Sequence, residues 1–402
     1  MCHNKLMSRN QKIFLFILGL YVIFDFVLGS LVGVFLWDKT KETSVILKYF
    51  ITIFSSIMVF SQFSSLAIAK FGAKKIYIFS ILLGFLQALF MLIFQNSIAQ
   101  MIVIFGILSG ASIGFQAVAY SIVASSISSG PEVTKFLGIK SSIMNIVSII
   151  AVPFITYLIS KVGSYNISYA IALCVGIVEV FLISRLDIVE TVSNYHPFSY
   201  LSTAISNTDT RIYLITRFVY GIFNGPIWAI LGIVTFMFAG NLSIWGIISA
   251  IMTILNIIGS YIYGKLNSSN LKKTYSIFST LIFATTTLIL ATNWNFSSFL
   301  LYQLGLVILN TTFAIHYESL TYDLISESEE MQNNKKEILG LGEICIGLGR
   351  ILPLVILSFV GFRMDDSLMI QVLFVAIASM PVIIISLLKN TTSFQTRYAK
   401  IG

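Results

Sequence analysis

The sequence predicts an all-α polytopic membrane protein with twelve transmembrane helices, arranged as two pseudo-symmetric six-helix bundles. Three observations support this prediction: the composition, the number of long apolar segments and a repeat that relates the two halves. Of the 402 residues, 57% are hydrophobic and only 10% are charged, and the mean hydropathy is +0.91. A soluble globular domain is about half apolar and about one-quarter charged. The composition therefore excludes a soluble chain.

Each apolar segment is long enough to cross the ~30 Å hydrocarbon core of a bilayer at about 1.5 Å per residue. The first segment follows Lys5, Arg9 and Lys12. It is too long for the core of a cleaved signal peptide, which has about 7–15 residues, and it contains Asp25. The tenth is long enough to predict a tilted or extended helix. The spans are predicted at 13–37, 45–69, 76–94, 98–125, 137–161, 167–186, 212–239, 243–264, 274–292, 298–325, 338–361 and 367–388.

Basic residues are concentrated on one side of the predicted membrane. Of the 25 Lys and Arg residues, eighteen lie at the termini or in loops on the side of the N-terminus, and five lie in outer loops or helix ends. Arg217 and Arg350 lie inside spans. Because loops rich in Lys and Arg face the cytoplasm, we expect both termini to be cytoplasmic in a multi-pass protein of the cell membrane. Abundant Ile, Asn, Lys and Ser is typical of a bacterial source.

A polar segment in the middle of the chain separates six spans from six. We predict an N-terminal bundle at 1–186, a cytoplasmic linker at 187–210 and a C-terminal bundle at 211–402. Short matches about half a chain apart favour a duplicated unit, and parallel halves around a midplane site are common in secondary transporters. The matched segments are Lys74-Lys75 with Lys272-Lys273, Leu137-Gly138 with Leu339-Gly340, and Pro153 with Pro353.

The turn between spans two and three contains Gly72 and the cations Lys70, Lys74 and Lys75. With the division into six and six helices, it resembles the Gly-x-x-x-Asp-Arg-x-Gly-Arg-Arg/Lys turn of the major facilitator superfamily, although Ser and Ala replace the first Gly and the Asp. The resemblance implies alternating access and a gating role for these four residues. Span four lacks the Arg of the drug/proton antiporters, and span five lacks their Gly-x-x-x-Gly-Pro run, which argues against their standard mechanism.

Ionisable residues inside the spans are the candidates for a transport site, because a charge at bilayer depth costs roughly 2.5–3.5 kcal/mol on insertion scales. Asp25 lies near the middle of span one, which the resemblance places at the central cavity. It suits proton coupling, and a hydrogen-bonded structural Asp is the alternative. Glu318 and Tyr322 lie four residues apart on one face of span ten. Glu343 and Arg350 lie two turns apart on one face of span eleven.

Three further features belong to this set. A break at Asn224-Gly225-Pro226 predicts a hinge in span seven, and we expect the glycines around Arg350 to allow close helix packing. Glu179 is expected to form a structural pair, and Arg217 could reach the membrane interface. The predicted coupling residues are Asp25, Glu318 and Glu343, and the predicted substrate-binding residues are Arg350, His316, Tyr317, Tyr322, Asn224 and Trp228.

The sequence thus predicts a proton-coupled secondary transporter that moves a small or amphipathic molecule or a peptide, with export favoured. A transporter of a lipid or lipid-linked substrate bound by Arg350 is one alternative, and a non-transporting receptor or accessory subunit is another. No phosphate-binding Gly-Lys-Ser/Thr loop, nucleophile elbow or zinc-ligand helix occurs, so we expect no enzyme, cofactor or metal. The expected partners are the substrate, protons or other ions and membrane lipids, without nucleic acid, around a monomer.

Overall fold

A computed structural model of the chain describes residues 8–127, 133–187, 201–264, 269–314, 317 and 335–388. The regular elements in these ranges are all helical, and twelve helices are long and apolar enough to span a membrane, which confirms the predicted fold class. They are α1 (Arg9–Thr40), α2 (Thr43–Phe71), α3 (Ala73–Phe94), α4 (Ile102–Ile127), α5 (Val133–Val162), α6 (Asn166–Ser184), α7 (Thr208–Ala239), α8 (Leu242–Gly264), α9 (Ser269–Thr292), α10 (Phe296–Phe313), α11 (Lys335–Phe359) and α12 (Ser367–Leu388).

Three of these helices contain a π-helical segment, at Phe26–Ser30 in α1, Ile227–Leu231 in α7 and Asn310–Ala314 at the end of α10. The first two begin about half a chain apart, as the sequence matches do. A π turn breaks the regular α-helical hydrogen bonding, and such turns are frequent at functional sites. In α1, the side-chain amide of Gln87 from α3 donates a hydrogen bond of 2.9 Å to the carbonyl oxygen of Leu28 within the π segment.

The helices pack as two compact units. One unit comprises Met1–Tyr195 with Asn241–Ala250, and the other comprises His196–Gly240 with Ile251–Gly402. The first turns of α8 therefore pack with the first unit, where the ring of Trp245 stacks on that of Phe26 at a centroid distance of 5.9 Å. In the predicted linker, a short helix covers Leu201–Ser206, and residues 188–200 lie outside the described ranges.

Glycines in α4 let this helix approach α2 closely. A Cβ atom added at Gly110 would lie 2.6 Å from the carbonyl oxygen of Ile53, and one added at Gly114 would lie 3.0 Å from Cβ of Phe60. Gly106 repeats the pattern one turn earlier against Thr52. This four-residue spacing of small residues is a common way to bring two membrane helices into van der Waals contact, so the glycines of span four serve packing.

The basic turn between α2 and α3 contacts the C-terminal end of α6. Gly72 is the single residue between α2 and α3, with φ 86° and ψ 151°, a backbone conformation that glycine adopts readily. Lys74 Nζ donates hydrogen bonds to the carbonyl oxygens of Ser184 (2.9 Å) and Leu186 (2.6 Å), just where α6 ends. Lys75 is exposed. A cation at a helix C-terminus is stabilised by the helix dipole.

Lys74→Met is expected to lower the free energy of unfolding by about 1–3 kcal/mol, because it removes a cation that satisfies two terminal carbonyl groups. Thermal unfolding of the purified protein in detergent would measure the loss. Lys75→Met is the matched control, and we expect it to change stability by less than about 0.5 kcal/mol. Equal effects of the two substitutions would contradict the contact with α6.

Candidate functional site

Asp25 is the candidate coupling residue of the first unit. It ends the first α-helical part of α1, directly before the π segment. The hydroxyl of Tyr21 donates a hydrogen bond of 3.3 Å to Asp25 Oδ1. The side chain keeps accessible surface although protein atoms surround it densely. Among the described residues it forms no ion pair. A carboxyl group that is accessible and not neutralised by a cation can bind and release a proton.

Phe24, the residue before Asp25, holds Asp25 in place through its packing. The ring of Phe24 is packed between Gly84 of α3 and Gly176 of α6. A Cβ atom added at Gly84 would lie 2.6 Å from the ring, and one added at Gly176 would lie 3.1 Å from it. The absence of a side chain at both glycines lets the ring lie against two helix backbones. Phe24 therefore packs α1 tightly against α3 and α6, one residue before Asp25.

In the second unit, Arg350 of α11 lies over the ring of Trp228 in α7, with 5.1 Å between the guanidinium carbon and the ring centroid. Trp228 is 52% exposed. Asn224 lies one turn before it, and its Oδ1 is buried without a hydrogen-bond partner among the described residues. The structure thus brings Arg350 onto Trp228, as a cation–π pair beside an unused amide acceptor. Such a surface suits a planar or anionic group of a small molecule.

Arg217 and Glu343 form an ion pair between α7 and α11, with 2.6 Å between Arg217 Nη2 and Glu343 Oε1. The side chains are 17% and 49% exposed, respectively. A carboxylate on the neighbouring helix holds Arg217, and the expectation that Arg217 could reach the membrane interface stays a prediction. Glu343, expected to act in coupling, is engaged by this Arg. Only the close packing of α7 and α11 brings these distant positions together.

Tyr317 was predicted to contact substrate, but in this structure it is 1% exposed. Its ring stacks on Tyr220 at 5.0 Å and on Phe313 at 6.2 Å. In this conformation Tyr317 packs against aromatic rings of the second unit and also interacts with Arg217. The predicted residues His316, Glu318 and Tyr322 lie outside the described residues. Because Glu318 is among them, a contact between Glu318 and Arg350 also lies outside the described residues.

Glu179 of α6 is the functional candidate that the sequence analysis did not select. It is fully buried, and neither carboxylate oxygen has a hydrogen-bond partner in the part of the chain that the structure describes. Within the described residues, Glu179 therefore does not form the structural pair that the sequence led us to expect. A signal was present in the sequence, because Glu179 lies in a stripe of small and aromatic residues at helical spacing. The buried stripe is Tyr169, Ala172, Gly176, Glu179 and Ile183.

The first unit also carries a groove of about 480 Å³ between the C-terminal half of α2 and the middle of α4. Its walls are apolar and aromatic, and Lys70 supplies a cation at one end. Lys70 Nζ lies 5.3 Å from the ring centroid of Phe71. The lining residues are Phe60, Phe63, Leu66, Ala67, Lys70 and Phe115.

Similar proteins are known for almost the whole chain. Residues 13–352 match the family model described as Major Facilitator Superfamily. The uncharacterized protein YqgE of Bacillus subtilis (strain 168) is 22% identical over 345 residues, which are 84% of this chain and 79% of that protein.

Two crystal structures of nucleoside transporter NupG are also similar to this chain. A point mutant of NupG gives a TM-score of 0.74 at 13% identity and covers 94% of this chain and 99% of its own. The second NupG structure gives a TM-score of 0.71 at 12% identity and covers 96% of this chain and 100% of its own. At these identities the likeness shows the fold alone.

Proposed function

This chain belongs to the Major Facilitator Superfamily, and on that premise we propose that it is a proton-coupled exporter of a small amphipathic molecule. The family and the twelve spans make it a multi-pass membrane transporter of small molecules and not an enzyme. Proton coupling, export, location in a bacterial cell membrane and cytoplasmic termini are parts of the proposal. The marked excess of Lys and Arg on the side of the termini supports that orientation.

The observation that carries the proposal is the state of Asp25. A carboxylate in the middle of a span is costly unless it has a partner or water, and here it has accessible surface and one hydrogen bond from Tyr21. It adjoins the π segment of α1, where a change in backbone geometry costs little because the regular ladder is already broken. Protonation of Asp25 would remove a charge at that point and favour one of the two orientations of the transporter.

The second unit supplies the substrate contacts in this proposal. Arg350 would hold an acceptor or anionic group, and the exposed face of Trp228 would stack on a planar or apolar part of the molecule. NupG, which shares the fold, is a nucleoside transporter, and a nucleoside has a planar ring of this kind. We therefore include uridine among the probes, beside naphthalene-2-sulfonate, a planar amphipathic anion.

The test is transport by the full chain reconstituted in liposomes that contain the pH dye pyranine. We expect one of the two probes to cross the membrane together with a change in internal pH. Asp25→Asn should abolish the proton movement, because an amide cannot exchange a proton in this range. Asp38→Asn is the matched control at the outer end of α1, where Asp38 contacts Lys41 at 3.2 Å. Equal proton movement in wild type and Asp25→Asn would contradict the proposal.

A lipid-like substrate is the second candidate, and the groove at α2 and α4 favours it. An acyl chain would lie along Phe60 and Phe115, and an anionic head group would approach Lys70. Lysophosphatidylglycerol added to the purified protein should then be retained by wild type and lost from Lys70→Ala. Loss from Arg350→Ala alone would instead place the lipid head group at Trp228. Retention by both variants would exclude this candidate.

A further inference from the structure

We propose that Glu179 is a second proton-binding site of the first unit and that it shares one proton with Asp25. Asp25 would exchange this proton with solvent, and Glu179 would store it inside the protein. The transport role of the pair rests on the proposed function. The presence of a proton on Glu179 does not, and it can be measured without any substrate.

The packing of α6 brings the two carboxyl groups into one region. Gly176 lies one helical turn before Glu179 and packs on the ring of Phe24, the residue that precedes Asp25. The two carboxyl groups interact electrostatically. Tyr21 of α1 and Tyr77 of α3 also interact with Glu179. The site is therefore built by three helices of one unit.

No cation compensates Glu179 in the described part of this unit. The basic residue of α3 nearest the inner end, Lys74, donates instead to the carbonyl groups that follow α6. On α5, Lys140 lies over the ring of Tyr120 at 4.8 Å, and Lys161 is exposed near the outer end. An uncompensated buried charge costs several kcal/mol, and a neutral carboxylic acid avoids that cost. Glu179 is therefore best accommodated with its proton bound.

The two carboxyl groups cannot easily be ionised together, because two negative charges in a poorly solvated region repel each other. In the transfer, the O–H bond of the Glu179 carboxyl group breaks and an O–H bond forms on the carboxylate of Asp25. The reverse step restores the first state. The pair carries one proton and one negative charge in both states. Exchange with solvent proceeds when Asp25 binds a second proton from water and one of the two protons is then released, so that both groups are never ionised together. Asp25 is exposed, so we assign the exchange of protons with solvent to Asp25. Glu179 is buried, so we assign the storage of the proton to Glu179.

Polar atoms near the pair are available for bridging water. The hydroxyl groups of Tyr77 and Tyr120 and Nε2 of Gln116 are buried and have no hydrogen-bond partner among the residues described. The rings of Tyr77 and Tyr120 meet edge to face at 6.4 Å. Buried water typically binds where such groups are left without protein partners. These atoms can therefore connect Glu179 by water to the inner half of the unit.

A proton fits this site better than a metal ion. No group of three His, Cys, Asp or Glu side chains in the described ranges could hold a metal, and sodium and other cations need several oxygen ligands. Two carboxyl groups flanked by phenols offer few ligands for a cation but suit proton transfer.

The test is infrared difference spectroscopy of the reconstituted full chain between acidic and alkaline pH. We expect wild type to show the band of a protonated carboxylic acid, shifted in D₂O. The band should be lost in Glu179→Gln and kept in Asp365→Asn, a control that removes an exposed carboxyl group. Glu179→Asp should keep a band at a shifted frequency, which separates loss of the acid from loss of the fold. Asp25→Asn should alter the titration of the band, because an amide does not compete for the proton.

Three results would overturn the inference. The first is a wild-type spectrum without the band, or with a band that Glu179→Gln leaves unchanged. The second is a band that Asp25→Asn does not affect, which would remove the shared proton. The third is loss of the band when sodium chloride replaces choline chloride, which would indicate a cation site. A normal band without pyranine-reported proton movement for uridine or naphthalene-2-sulfonate would refute the proposed function and leave the proton site standing.

Discussion

Gly225→Ala is expected to lower the free energy of unfolding by about 1–3 kcal/mol and to displace Arg350 from Trp228. The added Cβ would lie 2.7 Å from Cα and 2.8 Å from the carbonyl oxygen of Arg350. Backbone atoms cannot move aside as the end of a flexible side chain can, so α7 and α11 would have to separate. Gly221 and Gly349 belong to the same close contact, where the added Cβ at Gly221 would lie 2.9 Å from Cα of Gly349.

The same helix offers the control for this prediction. An added Cβ at Gly232 meets nothing within 4 Å, so Gly232→Ala should be neutral or stabilise the helix by up to about 1 kcal/mol. Thermal unfolding in detergent gives the stabilities, and the quenching of Trp228 fluorescence gives the position of Arg350. If both alanine variants were equally stable, the close approach of α7 and α11 would not hold in solution.

The second large effect is expected from Glu343→Gln, which leaves the guanidinium of Arg217 without its carboxylate. Arg217 is largely buried, and Glu343 is half exposed, so water can replace part of the lost interaction. We expect a loss of about 1–3 kcal/mol, below the full effect of breaking a completely buried pair. Arg217→Gln should cost a similar amount. In Arg217→Gln with Glu343→Gln the loss should be smaller than the sum, since neither charge remains unpaired.

An exposed pair of the same kind serves as the reference. Arg363 and Asp365 in the turn between α11 and α12 are 2.7 Å apart and more than half exposed. Hydrogen bonds from Arg363 lower the pKa of Asp365 below its ordinary value, yet exposed pairs contribute little to stability. Asp365→Asn should therefore change unfolding little. If the loss of unfolding free energy in the double variant equalled the sum of the losses in the Arg217 and Glu343 single variants, the contact between the two side chains would contribute nothing to stability.

Much of the fold could be predicted from the hydropathy and the length of the apolar segments along the chain. The predicted limits of α2, 45–69, lie within the observed Thr43–Phe71, and those of α12, 367–388, agree with Ser367–Leu388. The first span was predicted too short, at 13–37 against Arg9–Thr40. The difference arises because polar residues at helix ends, which hydropathy assigns to loops, still form backbone hydrogen bonds when Ser8 caps the helix.

The candidate site was predicted in part. Asp25 is accessible, Arg350 lies on Trp228, and both findings are compatible with the predicted roles, which remain proposals. The pairing of Arg217 with Glu343 and the isolation of Glu179 could not be predicted from the sequence. A charge inside an apolar segment signals that something must compensate it, but spacing along one helix does not reveal which neighbouring helix supplies the partner.

The sequence by itself determined that this chain is a membrane protein with twelve spans, because hydropathy and helix length are properties of contiguous residues. The resemblance to the family rests on the division into six and six spans and on the basic turn around Gly72. Only the tertiary structure decided which intramembrane charges have partners, since that depends on the helix faces that meet. Arg217 is held by a carboxylate that lies far away in the chain, whereas Glu179 is buried without a cation among the described residues. The chemistry of this protein therefore depends on how small residues let its helices approach.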